Sequence, residues 1–288
     1  MIDVSSYLRR LGVRAEPPSA AALATLHRAH AERIAYTTFD IHLGRTTTVD
    51  PLESAVRIAR LGRGGYCYHL NGGMSALLTE LGYDVRWHLG GVQGHAAAGP
   101  VGANGNHLVL TVHGLPTPEC PAGVWFADVG LGDGLHEPVP LTSGPIEQGP
   151  YTFHLARSTV EPDGWRLTHA PTGGFAGMDF RAAEAKPADF AAMHTHLSTS
   201  PESGFVRTLT VQRRHVAGAD ILRGLTLTTV TATGVARRDV TNGEEWWAML
   251  AGLFGLGLAD VTAAERTALW DRVRATHEAW TASQTPTS

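Results

Sequence analysis

The sequence predicts an α+β protein of three contiguous parts. Its first third carries apolar residues at helical spacing, the period switches near Tyr83 to the alternation of strands, and the tail mixes short strands with helices. That block order is unlike the strand-helix alternation of a doubly wound sheet, and no internal repeat is present.

Composition narrows the function. The 288 residues are 43% hydrophobic and 17% charged, enough for a large core and unlike a disordered or collagen-like chain. A formal net charge of −4 argues against generic nucleic-acid binding, so the expected partners are small molecules or protein. Cys67 and Cys120 cannot build a disulfide framework, and Met1-Ile2-Asp3-Val4 has an acid where a secretory segment has a basic end. Both features point to a reducing cytoplasm. The longest charge-free apolar stretch, Trp246 to Ala259, contains three glycines and falls short of the ~20 residues that cross a bilayer. No membrane partner is expected.

The elements follow in order. Pro17-Pro18-Ser19 is a start signal for a helix with Leu23, Leu26, His30 and Ile34 on one stripe. Asp50-Pro51-Leu52-Glu53 is a second, with an acidic cap, a proline at the first helical position and a Glu able to complete a capping box, for a helix from Pro51 to about Arg60. After Gly64 and Gly65, Cys67, Leu70, Met74, Leu77, Leu78 and Leu81 form a third stripe that Gly82 should end. Strands are predicted at Val85 to Leu89, His107 to His113, Val124 to Val129, Tyr151 to Leu155, Trp165 to Thr168, Val206 to Gln212 and Leu225 to Thr231. Pro187 to Met193 reads as helix, as do Glu245 to Phe254 and a last segment from Ala263 to about Ala279. The Trp246-Trp247 pair with Leu250, Leu253 and Phe254 is a core-packing helix face.

Three residues stand out chemically. The run Arg63-Gly64-Gly65-Tyr66-Cys67 puts a thiol just after a tight turn, at a helix start whose unpaired amides and dipole favour the anionic sulfur. A lone cysteine is more often a small buried hydrophobe, so a nucleophile here requires a base. His107 opens a strand and shares a face with Val109 and Thr111, which would hold its imidazole rigidly. Asp128 is an acid within an otherwise apolar strand and needs a cationic or hydrogen-bonding partner. A Cys-His-Asp relay would use all three, with His107 taking the thiol proton and Asp128 holding the ring. Gly130-Leu131-Gly132-Asp133-Gly134 is a sharp turn that can present amides to a phosphate or a thioester carbonyl, without matching a Walker loop or a dinucleotide fingerprint. His194-Thr195-His196 lacks a third ligand at a recognisable spacing, so no metal is expected.

Taken together, these segments resemble the arylamine N-acetyltransferase family through nearly the whole chain. The likeness is carried by Arg63 to Cys67, which matches the hallmark Arg-Gly-Gly-x-Cys, followed by Asn71. It is also carried by Tyr7-Leu8-Arg9-Arg10-Leu11-Gly12, Leu26-His27-Arg28-Ala29-His30, Asn106-His107, Asp128-Val129-Gly130-Leu131-Gly132, and Ser198 through Phe205. The resemblance implies an N-terminal helical bundle (1–84) bearing the nucleophile, a central β-barrel (85–190) bearing His and Asp, and a C-terminal α/β lid (191–288). The implied catalytic core is cysteine-protease-like. It further implies a ping-pong reaction in which acetyl-CoA, as cosubstrate, acylates Cys67. The acetyl group then passes to an arylamine, arylhydrazine or N-arylhydroxylamine nitrogen, with His107 and Asp128 completing the triad. The amides of Cys67 and Tyr68 are the oxyanion donors so implied. Gly130, Leu131, Gly132 and Phe205 would border the CoA, and Tyr36, Thr38, Tyr68, His69 and Leu131 the acceptor pocket.

The chain departs from the family pattern at specificity positions. His69 replaces the usual Glu two residues after the cysteine, Ala35-Tyr36-Thr37-Thr38 replaces Pro-Phe-Glu-Asn, and Leu131 replaces a common Phe. Alternatives are a biosynthetic amide synthase of the same fold that takes a larger acyl group from a carrier protein, a non-catalytic scaffold, and a thiol hydrolase of peptides or amides. The sequence fixes no oligomeric state.

Overall fold

In a computed structural model that describes residues 2–95, 97–170 and 173–284, the chain begins with α1 (Val4–Leu11), α2 (Ala20–Arg33), β1 (Tyr36–Thr37), α3 (Phe39–His42), α4 (Pro51–Leu61) and α5 (Cys67–Glu80). The caps explain the boundaries. Ser19 Oγ accepts the Ala22 amide at 3.1 Å, and Asp50 Oδ1 accepts the Leu52 amide at 2.7 Å with Pro51 at the first helical position. The reciprocal half of the expected capping box is absent, because the Glu53 carboxylate accepts from the Thr48 hydroxyl instead. Leu23, Leu26, His30 and Ile34 are all buried, as their stripe requires. Every residue of α5 from Cys67 to Leu78 is buried, so α5 is the centre of the bundle rather than an amphipathic wall. It ends where Gly82 takes φ +91°.

A single antiparallel sheet follows, built from β2 (Asp84–Gln93), β3 (His107–His113), β4 (Trp125–Phe126), β5 (Val139–Pro140), β6 (Gly144–Gln148), β7 (Tyr151–Arg157), β8 (Trp165–His169) and β9 (Gly177–Glu184). Its order is β5-β4-β3-β2-β9-β8-β7-β6. The two edges, β5 and β6, are consecutive in the chain, and the sheet curls into a nearly closed barrel. Val109, Phe126, Phe153, Leu155, Leu167, Met178 and Phe180 fill one face, while Leu108, Leu110 and Val112 of β3 pack on the helical side. Burial on both faces makes β3 a nearly continuous apolar run.

The remaining elements are a 3-10 turn (Pro187–Phe190), α6 (Ala191–Thr199), α7 (Gly204–Arg207), β10 (Thr210–His215), β11 (Gly218–Arg223), β12 (Thr226–Thr231), β13 (Gly234–Asp239), α8 (Gly243–Gly252) and α9 (Ala263–Gln284). The second sheet, in the order β1-β10-β11-β12-β13, recruits β1 from the N-terminal part. Tyr36 pairs with Gln212 there and also bridges to Gly65, next to the thiol. Trp246, Leu250 and Phe254 of α8 and Leu269 and Val273 of α9 cover this sheet, so the double tryptophan does serve the core. Arg63 is buried and grips Asp260 with two 2.7 Å bonds, with Asp40 3.3 Å away, tying the thiol-bearing segment to the C-terminal part. Among the described residues no helix is long and apolar enough to cross a membrane.

Two predicted strands need correction. Val206 lies in α7, where Ser203 Oγ accepts the Phe205 amide at 3.1 Å, and the strand begins only at Thr210. The predicted strand Val124 to Val129 pairs only over Trp125–Phe126, because the Asp128 carboxylate draws in the Gly130 amide and bends the chain into a turn. Helices α1 and α3 and strands β1, β5, β6, β9, β11 and β13 lie outside the elements the sequence predicts; β13 is exposed along its whole length and has no alternation to read.

Candidate active site

The thiol is placed by the two glycines before it. Gly65 has φ +102° and a Cβ there would meet the His69 ring at 2.5 Å, while a Cβ on Gly64 would meet Leu70 Cδ2 at 2.3 Å. The chain can therefore turn sharply into α5 with Cys67 as its first residue, where backbone amides lack intrahelical partners. Cys67 Sγ lies 3.6 Å from the Asn106 carbonyl oxygen and within hydrogen-bonding reach of the His107 ring. His69 occupies the third position of the helix, and its Nδ1 accepts the Tyr66 amide at 3.3 Å. It thus does the reciprocal work of a Glu or Gln in a capping box. Burial, with Arg57 and His194 nearby, holds its pKa well below the ordinary value, so the ring is neutral.

His107 opens β3, and its Nε2 is 2.7 Å from Asp128 Oδ2, leaving Nδ1 for the sulfur. Burial works against charge on this ring. The Asp128 carboxylate and the sulfur outweigh it and push the pKa up to about 10. Asp128 is fully buried, which alone would raise its pKa, yet the His107 charge and three hydrogen bonds keep it below the usual carboxylate value. Two of those bonds reach Oδ1, from Asn71 Nδ2 and the Gly130 amide, each 2.8 Å. Asn71 Nδ2 also donates to the Leu108 carbonyl at 2.6 Å and its Oδ1 accepts the Val129 amide at 2.9 Å. This residue stands one helical turn beyond Cys67, the spacing that puts both side chains on one face.

A cavity of about 450 Å³ opens over the sulfur. It brings together Cys67, His107, Gly130, Leu131, Gly132, Phe205, Tyr36 and Thr38. Asp128 stands behind His107. Tyr68 and His69 do not reach the wall: the Tyr68 hydroxyl donates to the Gly105 carbonyl at 2.6 Å, and His69 faces Tyr66. Gly130 is required by close approach, since a Cβ on it would meet Cys67 Cα at 2.9 Å. The cavity also gathers Val92, Asp133, Phe175, Gln212 and Arg223, which come from separate loops and strands and share no spacing that a sequence could display. His194 is committed elsewhere. Its Nε2–H donates to the Thr47 carbonyl at 2.7 Å and its Nδ1 accepts the Tyr66 hydroxyl at 2.6 Å. Among the described residues no cluster of three or more metal-ligating side chains occurs.

Residues 19–263 match the family described as N-acetyltransferase. The chain is 32% identical over 217 residues to the arylamine N-acetyltransferase of Mycolicibacterium smegmatis, covering 73% of this chain and 76% of that protein. It is 28% identical to the arylamine N-acetyltransferase of Escherichia coli strain K12, covering 83% of each. The solved Mycobacterium marinum arylamine N-acetyltransferase in complex with CoA superposes with a TM-score of 0.84 at 26% identity, over 95% of this chain and 99% of that one.

Proposed function

The chain belongs to the arylamine N-acetyltransferase family, and from that premise we propose that it transfers acetyl groups from acetyl-CoA to arylamine nitrogens through an acetyl-Cys67 intermediate. The observation that carries the reading is the 2.7 Å hydrogen bond between His107 and Asp128 with the Cys67 sulfur within reach of the same imidazole, at the floor of a cavity. With its pKa near 10, His107 is a cation at neutral pH, the partner that an anionic sulfur needs.

The sulfur attacks the thioester carbonyl, and the oxygen that gains the electron pair is stabilised by the amides of Cys67 and Tyr68 at the start of α5. Collapse breaks the bond to the CoA sulfur, which takes the proton from His107 and departs as the thiol. Acylation also removes the negative charge from Cys67, one of the causes that held His107 protonated, so the neutral ring is now a base. It accepts the amine proton as nitrogen attacks the acetyl carbon. Amide formation then expels the Cys67 sulfur as an anion and restores the starting ion pair. Asp128 keeps the ring oriented throughout, with Asn71 fixing the carboxylate. Leu131, Phe205 and Tyr36 supply apolar walls for an aryl ring, and Gly130 and Gly132 keep the approach to the sulfur open.

Incubation with acetyl-CoA followed by intact-mass analysis tests the proposal. One acetyl group should be found on Cys67, none on Cys67→Ala, and the label should be discharged by an arylamine. An enzyme that stays unmodified, or that is acylated only by a carrier-bound acyl group, would overturn it.

A further inference from the structure

Resting on the acetyl-Cys67 reading above, we propose that the main-chain carbonyl oxygen of Asn106 is a further catalytic group of the amine half-reaction: it accepts the second N–H of the attacking nitrogen, and so selects primary arylamines over N-alkyl arylamines. The oxygen lies 3.6 Å from Cys67 Sγ, on a residue that lines the cavity and immediately precedes His107. Among the described residues the thiol is its sole hydrogen-bond donor. Once the sulfur has passed its proton to His107, or carries an acetyl group, the oxygen faces the reacting centre with no donor.

The chain around this oxygen is fastened by groups that leave the oxygen itself free. Asn106 Oδ1 accepts the Val92 amide at 2.7 Å and its Nδ2 donates to the Val92 carbonyl at 3.2 Å, a two-point clamp onto β2. The Asn106 amide donates to Asn104 Oδ1 at 3.0 Å. The preceding Gly105 donates its amide to the Gly90 carbonyl at 3.0 Å, and its own carbonyl accepts the Tyr68 hydroxyl. An acceptor held this way needs no reorganisation as charge develops. The attacking nitrogen gives its lone pair to the acetyl carbon and becomes positive, so its hydrogens turn more acidic and their hydrogen bonds strengthen in the transition state. A primary amine carries two. One proton passes to His107 as the C–N bond forms and the C–S bond breaks, with the sulfur leaving as the anion. The other stays on nitrogen against the Asn106 oxygen and becomes the N–H of the product amide. An N-methyl arylamine, like a thiol, has only the proton that His107 takes.

The test follows discharge of preformed acetyl-Cys67 by intact mass, with p-anisidine, N-methyl-p-anisidine and p-methoxythiophenol, in the wild type and in Asn106→Ala. Each rate is divided by that of the same nucleophile with a small acetyl thioester in solution, which removes intrinsic reactivity. In the wild type the primary amine should outrun the N-methyl amine about tenfold. Asn106→Ala releases the clamp on β2 and should slow the primary amine about tenfold more than it slows either nucleophile lacking a second hydrogen, a difference that steric exclusion of the methyl group does not produce. Should that variant fail to fold, Tyr68→Phe, which frees the neighbouring Gly105 carbonyl, gives the same comparison. Equal slowing of all three nucleophiles, no extra slowing of the primary amine, or wild-type discharge by both amines at equal rates would overturn the role of the carbonyl while leaving the acetyltransferase reading intact. Failure of Cys67 to take an acetyl group from acetyl-CoA would overturn both.

Discussion

At the scale of single residues, the site depends on which group holds which proton. Asp128 never meets the cavity, yet its carboxylate orients His107 and favours the imidazolium. Asp128→Asn should fold normally and slow acetylation of Cys67 by about a thousandfold or more, measured in a single turnover with acetyl-CoA. Retained full activity would refute the assigned role. His69 resolves the departure from the family pattern: a neutral imidazole replaces the carboxylate and still meets the Tyr66 amide at the helix start. What changes is the local charge, and what stays is the cap.

At the scale of elements, short capped turns carry the walls of the cavity. Ser203 accepts the Phe205 amide and donates to the Leu197 carbonyl at 2.7 Å, pinning the Phe205 ring against Tyr36 and Tyr66. Ser203→Ala should cost about 1 kcal/mol of stability. It should also raise the KM for arylamine acceptors while the first-step acetylation rate holds, and steady-state kinetics at saturating donor would show whether the two separate. The strand predicted from Val206 fails for the same reason that the wall exists, because a serine hydroxyl competing for backbone amides starts a helical turn first.

At the scale of the whole molecule, two features join distant segments. Arg63 is 2% exposed and bound to Asp260, 197 residues later in the chain. Arg63→Met strands the buried Asp40 without its cation and leaves Asp260 to Arg45 alone, and urea unfolding should show a loss of about 3 kcal/mol. The second feature is a set of histidines buried in the neutral form. Burial pulls the His27 pKa down from 6.5 to about 4, against a hydrogen bond to the His136 carbonyl, and pulls His30 to about 3. The folded chain therefore binds fewer protons than the unfolded one below pH 6.5, and stability drains as pH falls through that range. His27 alone accounts for on the order of 3 kcal/mol. His107 acts in the opposite sense: its contribution is complete below pH 6.5 and is lost as pH rises toward 10. Unfolding free energies measured across pH should thus fall on the acid side, and His27→Asn should flatten that limb.

The sequence by itself determined the starts of α2, α4 and α5 and the place of a thiol just after a glycine turn, because caps, glycine turns and apolar periods are local and act through neighbouring residues. It also marked His107 and Asp128 as candidates, since an acid in an apolar strand needs a partner. Only the tertiary structure decided that the partner is His107, that Asn71 braces the carboxylate, and that Tyr68 and His69 turn away from the cavity. It alone brought the Asn106 carbonyl to the sulfur. Cys67 and Asn106 are 39 residues apart, and the packing of α5 against the sheet that brings them together leaves no periodic trace along the chain.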